Sequence, residues 1–157
     1  MKPITPCLWF SDEALEAATF YVSVIPRSTI RAVSHYGPGA PMPEGSVLTV
    51  SFELNGQDFM ALNGGPHFQH SPAVSFVVRC DTQDELDAIW AQLSAVPERE
   101  ECGWLQDKFG VSWQVVPSII ERLVADPDKA KVQRVMAVIL SSKKLDIAAL
   151  ERAAAAA

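Results

Sequence analysis

Between Leu48 and Leu54 every second residue is apolar: Leu48, Val50, Phe52 and Leu54 alternate with Thr49, Ser51 and Glu53. A period of two is what a β-strand shows when one face meets a core and the other meets water. Asn55-Gly56 follows at once. Both residues accept positive φ, so the chain is predicted to fold back in a tight hairpin with Phe59–Leu62 as the return strand. Asn63-Gly64-Gly65-Pro66 then breaks the chain. Whatever else the chain forms must be arranged around this antiparallel pair.

The same order of elements occurs on both sides of that break. Ile4–Phe10 is a short apolar run fit for a buried strand. Ser11 or Asp12 can cap a helix, with Glu13 near its positive end and Leu15, Ala18, Val22 and Ile25 at helical spacing before Pro26. Thr29–Tyr36 reads as a strand, and Gly37 to Gly45, with three prolines, as a loop. After the break, Val74–Cys80 is a strand and Thr82 with Glu85 forms a capping box. Leu86, Ile89, Trp90 and Leu93 then give a helical apolar face. Cys102–Leu105 and Val111–Val116 form a hairpin around Asp107-Lys108-Phe109-Gly110. We read this as an internal repeat. The second half is shorter, because Val96 to Cys102 leaves little room for a counterpart of Thr29–Tyr36. Beyond Pro117 the pattern becomes helical: Ile119–Val124, Asp128–Leu140 and Leu145–Ala157, with an alanine tail that buries little.

Composition limits the function classes. The chain has 157 residues, 48% of them hydrophobic, which favours one domain, 1–157, with a substantial core. Its net charge is −6 and it has no Lys/Arg cluster, which argues against nucleic acid and against an anionic membrane surface. No apolar run approaches the ~20 residues of a membrane span. Met1–Phe10 does not read as a secretory signal. Cys7, Cys80 and Cys102 have no CxxC spacing and fit reduced thiols of a cytoplasmic protein.

Two motifs carry a resemblance. Phe59-Met60-Ala61-Leu62-Asn63-Gly64-Gly65-Pro66 and the run from Cys102-Gly103-Trp104 to Val115-Val116-Pro117 resemble the PhnB-like branch of the vicinal oxygen chelate superfamily, which includes glyoxalase I, extradiol dioxygenases and bleomycin-resistance proteins. That branch often carries a 3-demethylubiquinone-9 3-methyltransferase label. The resemblance implies an α+β fold of paired βαβββ modules forming a curved mixed sheet around a small-molecule cavity, with C-terminal helices added. The halves would be about 3–66 and 72–117, followed by a helical segment at 118–157. It also implies a homodimer. It implies no single reaction, because one fold hosts many. Methyl transfer is disfavoured by the residues themselves. A Rossmann-type site needs a glycine-rich turn between a strand and a helix, and Gly64-Gly65 leads into a proline and a strand.

Active superfamily members place His or Glu at four inward strand positions around a divalent ion. Here the last strand has Gln114 at the glutamate position, a neutral and weak ligand. The first strand has Thr5 or Pro6, the Val74–Cys80 strand has Ser75 and Phe76, and the fourth position offers Asn63. No metal and no other cofactor is therefore expected. The residues expected to line a ligand cavity are Cys7, Trp9, Glu53, Asn63, His67, Ser75, Trp104, Trp113 and Gln114. The three indoles divide between core packing and a flat aromatic pocket. Asp107 and Lys108 read as a solvated turn, Cys80 as packing and His35 as exposed. The expected function is small-molecule binding. The alternative is an atypical metal-dependent lyase, isomerase or dioxygenase using His67, His70 or Glu53.

Overall fold

The computed structural model describes Met1 and residues 3–156. Its contacts fall into two units, Met1–His70 and Ser71–Ala157.

The first unit runs β1 (Cys7–Phe10), α1 (Ala14–Val24), β2 (Thr29–His35), β3 (Val47–Leu54) and β4 (Gln57–Asn63). Its sheet has the order β1-β4-β3-β2, with β1 parallel to β4 and the other pairs antiparallel. The Asn55-Gly56 turn has φ of 47° and 88°, so the β3–β4 hairpin forms as its sequence dictates. Val50, Phe52 and Leu54 are buried and the alternating residues are half-exposed, so one face of the sheet is covered and the other is not. Helix α1 packs on β3, β4 and β2.

Two local expectations change here. The first strand begins at Cys7 rather than Ile4, which is exposed. Pro6 has no N–H to add to a ladder and contributes only its carbonyl, which accepts from Met60 N at 2.9 Å. The buried face of α1 is Ala14, Ala17, Ala18, Tyr21 and Val24, while Leu15 is exposed. Three alanines let the helix sit close to the sheet, and Tyr21 fills the remaining volume, its ring 6.4 Å from that of Phe52. Packing of small residues thus outweighs the preference for burying the larger Leu15.

The second unit runs β5 (Ser75–Cys80), α2 (Gln83–Leu93), a 3-10 turn (Pro97–Arg99), β6 (Trp104–Gln106) and β7 (Ser112–Pro117). It then continues through α3 (Ile120–Val124), α4 (Lys129–Ser141) and α5 (Ile147–Ala155). The strand order is β5-β7-β6, with β5 parallel and β6 antiparallel to β7. The 3-10 turn stands where β2 stands in the first unit, so this module is βαββ among the described residues. The predicted cap forms with one shift of partner: Thr82 Oγ1 accepts from Glu85 N at 3.2 Å, and Glu85 Oε2 accepts from the N–H of Asp81, the residue before the cap, at 2.9 Å. Leu86, Ile89, Trp90 and Leu93 are all buried. Strand β6 begins at Trp104 because Cys102 and Gly103 take left-handed conformations, with φ of 52° and 87°.

The C-terminal helices build their own core. Val116, Leu123, Val135, Ile139, Leu145 and Leu150 form one buried cluster, with Met136 packed against it. The apolar face of α4 is therefore covered within the unit. Ala153 and Ala154 join the same cluster, so the alanine tail is docked where its composition suggested fraying. Ala157, the end of the predicted helix, lies outside the described residues.

Candidate functional site

In the first unit, the half-exposed face opposite α1 carries Cys7, Trp9, Ser51, Glu53, Met60 and Leu62. Trp9 anchors one end of this face. Its Nε1 donates to Gly65 O at 2.8 Å, and its ring meets Phe68 edge-on at 5.0 Å. The indole lies directly over Gly64, where a Cβ would come within 2.2 Å of Trp9 Cζ2. Gly64 is a glycine because this ring occupies the side-chain space. Cys7 is exposed, and partial burial of its thiol raises its pKa from 9.0. Glu53 forms an ion pair with Arg31, which also approaches Asp58 at 3.5 Å. Its carboxylate is thus engaged in a cross-strand charge cluster.

Asn63 was expected at a lining position, and the structure gives it another role. It is 3% exposed. Its Oδ1 accepts from Ala14 N at 2.8 Å, and its Nδ2 donates to Val47 O at 3.1 Å. Neither Ser11 nor Asp12 caps α1: the cap comes from a residue 49 positions away on β4. An amide that joins a helix start to a strand end is held by the fold and is not presented to a ligand. His67 is exposed, and the His70 ring lies against Phe10 with centroids 5.3 Å apart. His35 is exposed as expected.

In the second unit, Trp104 is the cross-strand partner of Gln114. Gln114 Nε2 donates to Ser75 Oγ at 2.9 Å. Ser75, Trp104 and Gln114 therefore share one half-buried sheet face. Trp113 falls on the opposite, covered face with Leu105 and is 2% exposed. Its Nε1 donates to Asp107 Oδ2 at 2.8 Å, and its ring stands 5.5 Å from Phe76. Asp107 is not part of a solvated turn. It is 1% exposed, and its Oδ1 accepts from Phe109 N at 2.8 Å and Val111 N at 3.0 Å. The Asp-Lys-Phe-Gly turn is thus closed by a buried carboxylate that also fixes the Trp113 indole. Cys80 is fully buried. Burial, then the charges of Glu85 and Asp81, push its thiol pKa up to about 12.

These residues do not fit the superfamily's divalent metal. Asn63 is engaged on two backbone groups, Gln114 is hydrogen-bonded to a serine, and both are neutral amides. Among the described residues, no group of three or more His, Cys, Asp or Glu is placed to hold a metal ion.

Sequence reasoning missed a cleft in the second unit of about 390 Å³, lined by Pro72, Glu98, Arg99, Glu101, Cys102 and Trp104. Its signal was the dense charge of Glu98-Arg99-Glu100-Glu101 directly before a tryptophan motif. The cleft depends on the left-handed turn at Cys102-Gly103, which a strand reading of that stretch hides.

Comparison with known proteins agrees with the motifs. Residues 2–116 match the family described as 3-demethylubiquinone-9 3-methyltransferase. The chain belongs to this PhnB-like family. A solved structure from Bacillus cereus, described as a putative 3-demethylubiquinone-9 3-methyltransferase and PhnB protein, is 36% identical. The match covers 74% of this chain and 100% of that one, with a TM-score of 0.64. A structure of protein PA1353 from Pseudomonas aeruginosa shares the fold at 21% identity, covering 74% of this chain and 98% of that one, with a TM-score of 0.59. A comparison with curated proteins gives no match. The family match of this PhnB-like chain ends at residue 116, so helices α3 to α5 lie beyond it.

Proposed function

We propose that this PhnB-like protein binds a small organic molecule and does so without the divalent metal of its wider superfamily. The observation that supports this most is the sheet face shared by Trp104, Gln114 and Ser75. The neutral Gln114–Ser75 amide–hydroxyl pair stands where a metal-binding relative would place charged or imidazole ligands, and the flat Trp104 indole lies beside it. Such a surface offers apolar contact area and a few fixed polar atoms, the usual make-up of a ligand site. It offers little to a cation that needs charge neutralisation.

Methyl transfer is not part of this reading, although the family description names it. The strand-to-helix connections of the described chain are Ser11–Glu13, Asp81–Thr82 and Ser118–Ile119. None contains the glycine that a nucleotide-type cofactor needs for close backbone approach. Gly64 is occupied by the Trp9 ring.

We further propose a homodimer acting in the cytoplasm. Val33, Val74 and Val77 are exposed on sheet strands or beside them, and a partner surface would cover them. Sedimentation at micromolar concentration should show a dimer, and a clean monomer refutes that part. The binding reading is tested by native mass spectrometry against a metabolite panel, with elemental analysis of the same preparation. The expected result is a metal-free protein that retains a defined small-molecule adduct. A stoichiometric, tightly held divalent metal together with turnover would overturn it.

A further inference from the structure

The cleft beside Trp104 carries a chemical preference that the binding reading alone does not supply. Its aromatic element is Trp104, half-buried at the start of β6. Around it stand two carboxylates, Glu98 and Glu101, and one guanidinium, Arg99. Among the described residues, the Glu98 and Glu101 side chains have no ion-pair partner. The neighbouring cation, Lys143, is taken by other groups: its Nζ donates to Pro97 O at 3.0 Å and lies 3.5 Å from Glu100. The lining thus holds two free acids against one base, in a chain whose net charge is −6.

The wall of this cleft is held firmly. Cys102 N donates to Ser142 O at 2.8 Å, and Gly103 N donates to Lys143 O at 2.7 Å. Gly103 has φ of 87°, and a Cβ there would sit 3.2 Å from Leu145 Cδ1. Ser142, Lys143 and Leu145 join α4 to α5 and lie beyond the residues matched by the family. The C-terminal helices therefore act as a brace for the loop that presents Glu101, Cys102 and Trp104. A braced loop has less to order when a ligand arrives.

We propose that this cleft is a site for a small aromatic compound bearing one positive charge, an aromatic ammonium. The ligand's cationic group is drawn to the indole face and to the unpaired carboxylates. Its ring meets the apolar part of the cleft, Pro72 and Trp104. Arg99 limits the charge, because a second cationic group would meet a fixed like charge. This inference rests on the small-molecule-binding reading and adds the ligand class.

The test is calorimetric titration of the full-length protein with three phenyl-bearing probes of similar size: 2-phenylethylammonium, 2-phenylethanol and phenylacetate. The ammonium should bind about tenfold more tightly than either of the others, the ratio expected for a cation–π contact plus partial charge pairing. Glu98→Gln with Glu101→Gln should reduce that preference to the share the indole supplies while leaving the melting temperature unchanged, since both side chains are exposed. Trp104→Leu should weaken all three probes. Equal binding of the three, or tightest binding of the carboxylate, overturns the assignment. If no probe binds while native mass spectrometry captures another small molecule, the ligand class falls and the binding reading stands. If neither experiment finds a ligand, both fall.

Discussion

Changing Asp107 to Asn replaces one carboxylate oxygen with an NH2 group and leaves shape almost untouched. Asp107 accepts three hydrogen bonds, from Phe109 N, Val111 N and Trp113 Nε1. An asparagine retains one oxygen. Placed toward the two backbone amides, it leaves an NH2 facing the Trp113 N–H across 2.8 Å. Turned the other way, it leaves the NH2 facing both amides. Every orientation puts donor against donor in a site that is 1% exposed. Losing one hydrogen bond to a charged acceptor costs about 1.5–3 kcal/mol, and the unsatisfied donor left behind adds about 1–3 kcal/mol. Removing the desolvation penalty of the buried charge offsets part of this. The expected net loss is about 2–4 kcal/mol. In urea that is a fall in midpoint of about 1–2 M for a typical denaturant slope, followed by tryptophan fluorescence and circular dichroism. Trp113→Phe removes the opposing N–H, so a double-mutant cycle should recover about 1–3 kcal/mol of coupling. A loss below about 0.5 kcal/mol, or strict additivity in the cycle, would refute the reasoning that Asp107 is a buried structural acceptor.

Two further outcomes follow from the geometry. Gly64→Ala puts a methyl within 2.2 Å of the Trp9 ring. It should destabilise the first unit by about 1–3 kcal/mol and shift tryptophan emission, whereas an unchanged melt would show that Trp9 moves aside freely. Cys80 should make stability fall at alkaline pH. Its thiol pKa is raised from 9.0 to about 12 in the folded chain, so the folded state holds the proton more tightly than the unfolded one. Stability from this source is complete below pH 9 and is lost as pH rises toward 12. Cys80→Ala should flatten that part of the profile, and a decline of equal slope in the variant would assign it to other groups.

The sequence by itself determined the elements whose signals are local. The period-two pattern of Leu48–Leu54 and the Asn55-Gly56 turn dictated β3, β4 and their pairing, because alternation and positive φ are properties of adjacent residues. Thr82 and Glu85 capped α2 for the same reason. The PhnB-like motifs, read as continuous strings, carried the family. The tertiary structure decided everything that required residues distant in sequence to meet. Asn63 reads as a ligand position until Ala14 is brought against it from 49 residues away. Asp107 and Trp113 read as a turn acid and a lining indole, and the strand register turns both inward onto each other. The cleft beside Trp104 needs the backbone bonds from Cys102 and Gly103 to Ser142 and Lys143, some forty residues on. A polar side chain shows its chemistry in the sequence. Whether that chemistry faces a ligand or the protein's own backbone depends on which distant atoms occupy the space in front of it, and only the folded chain fixes that.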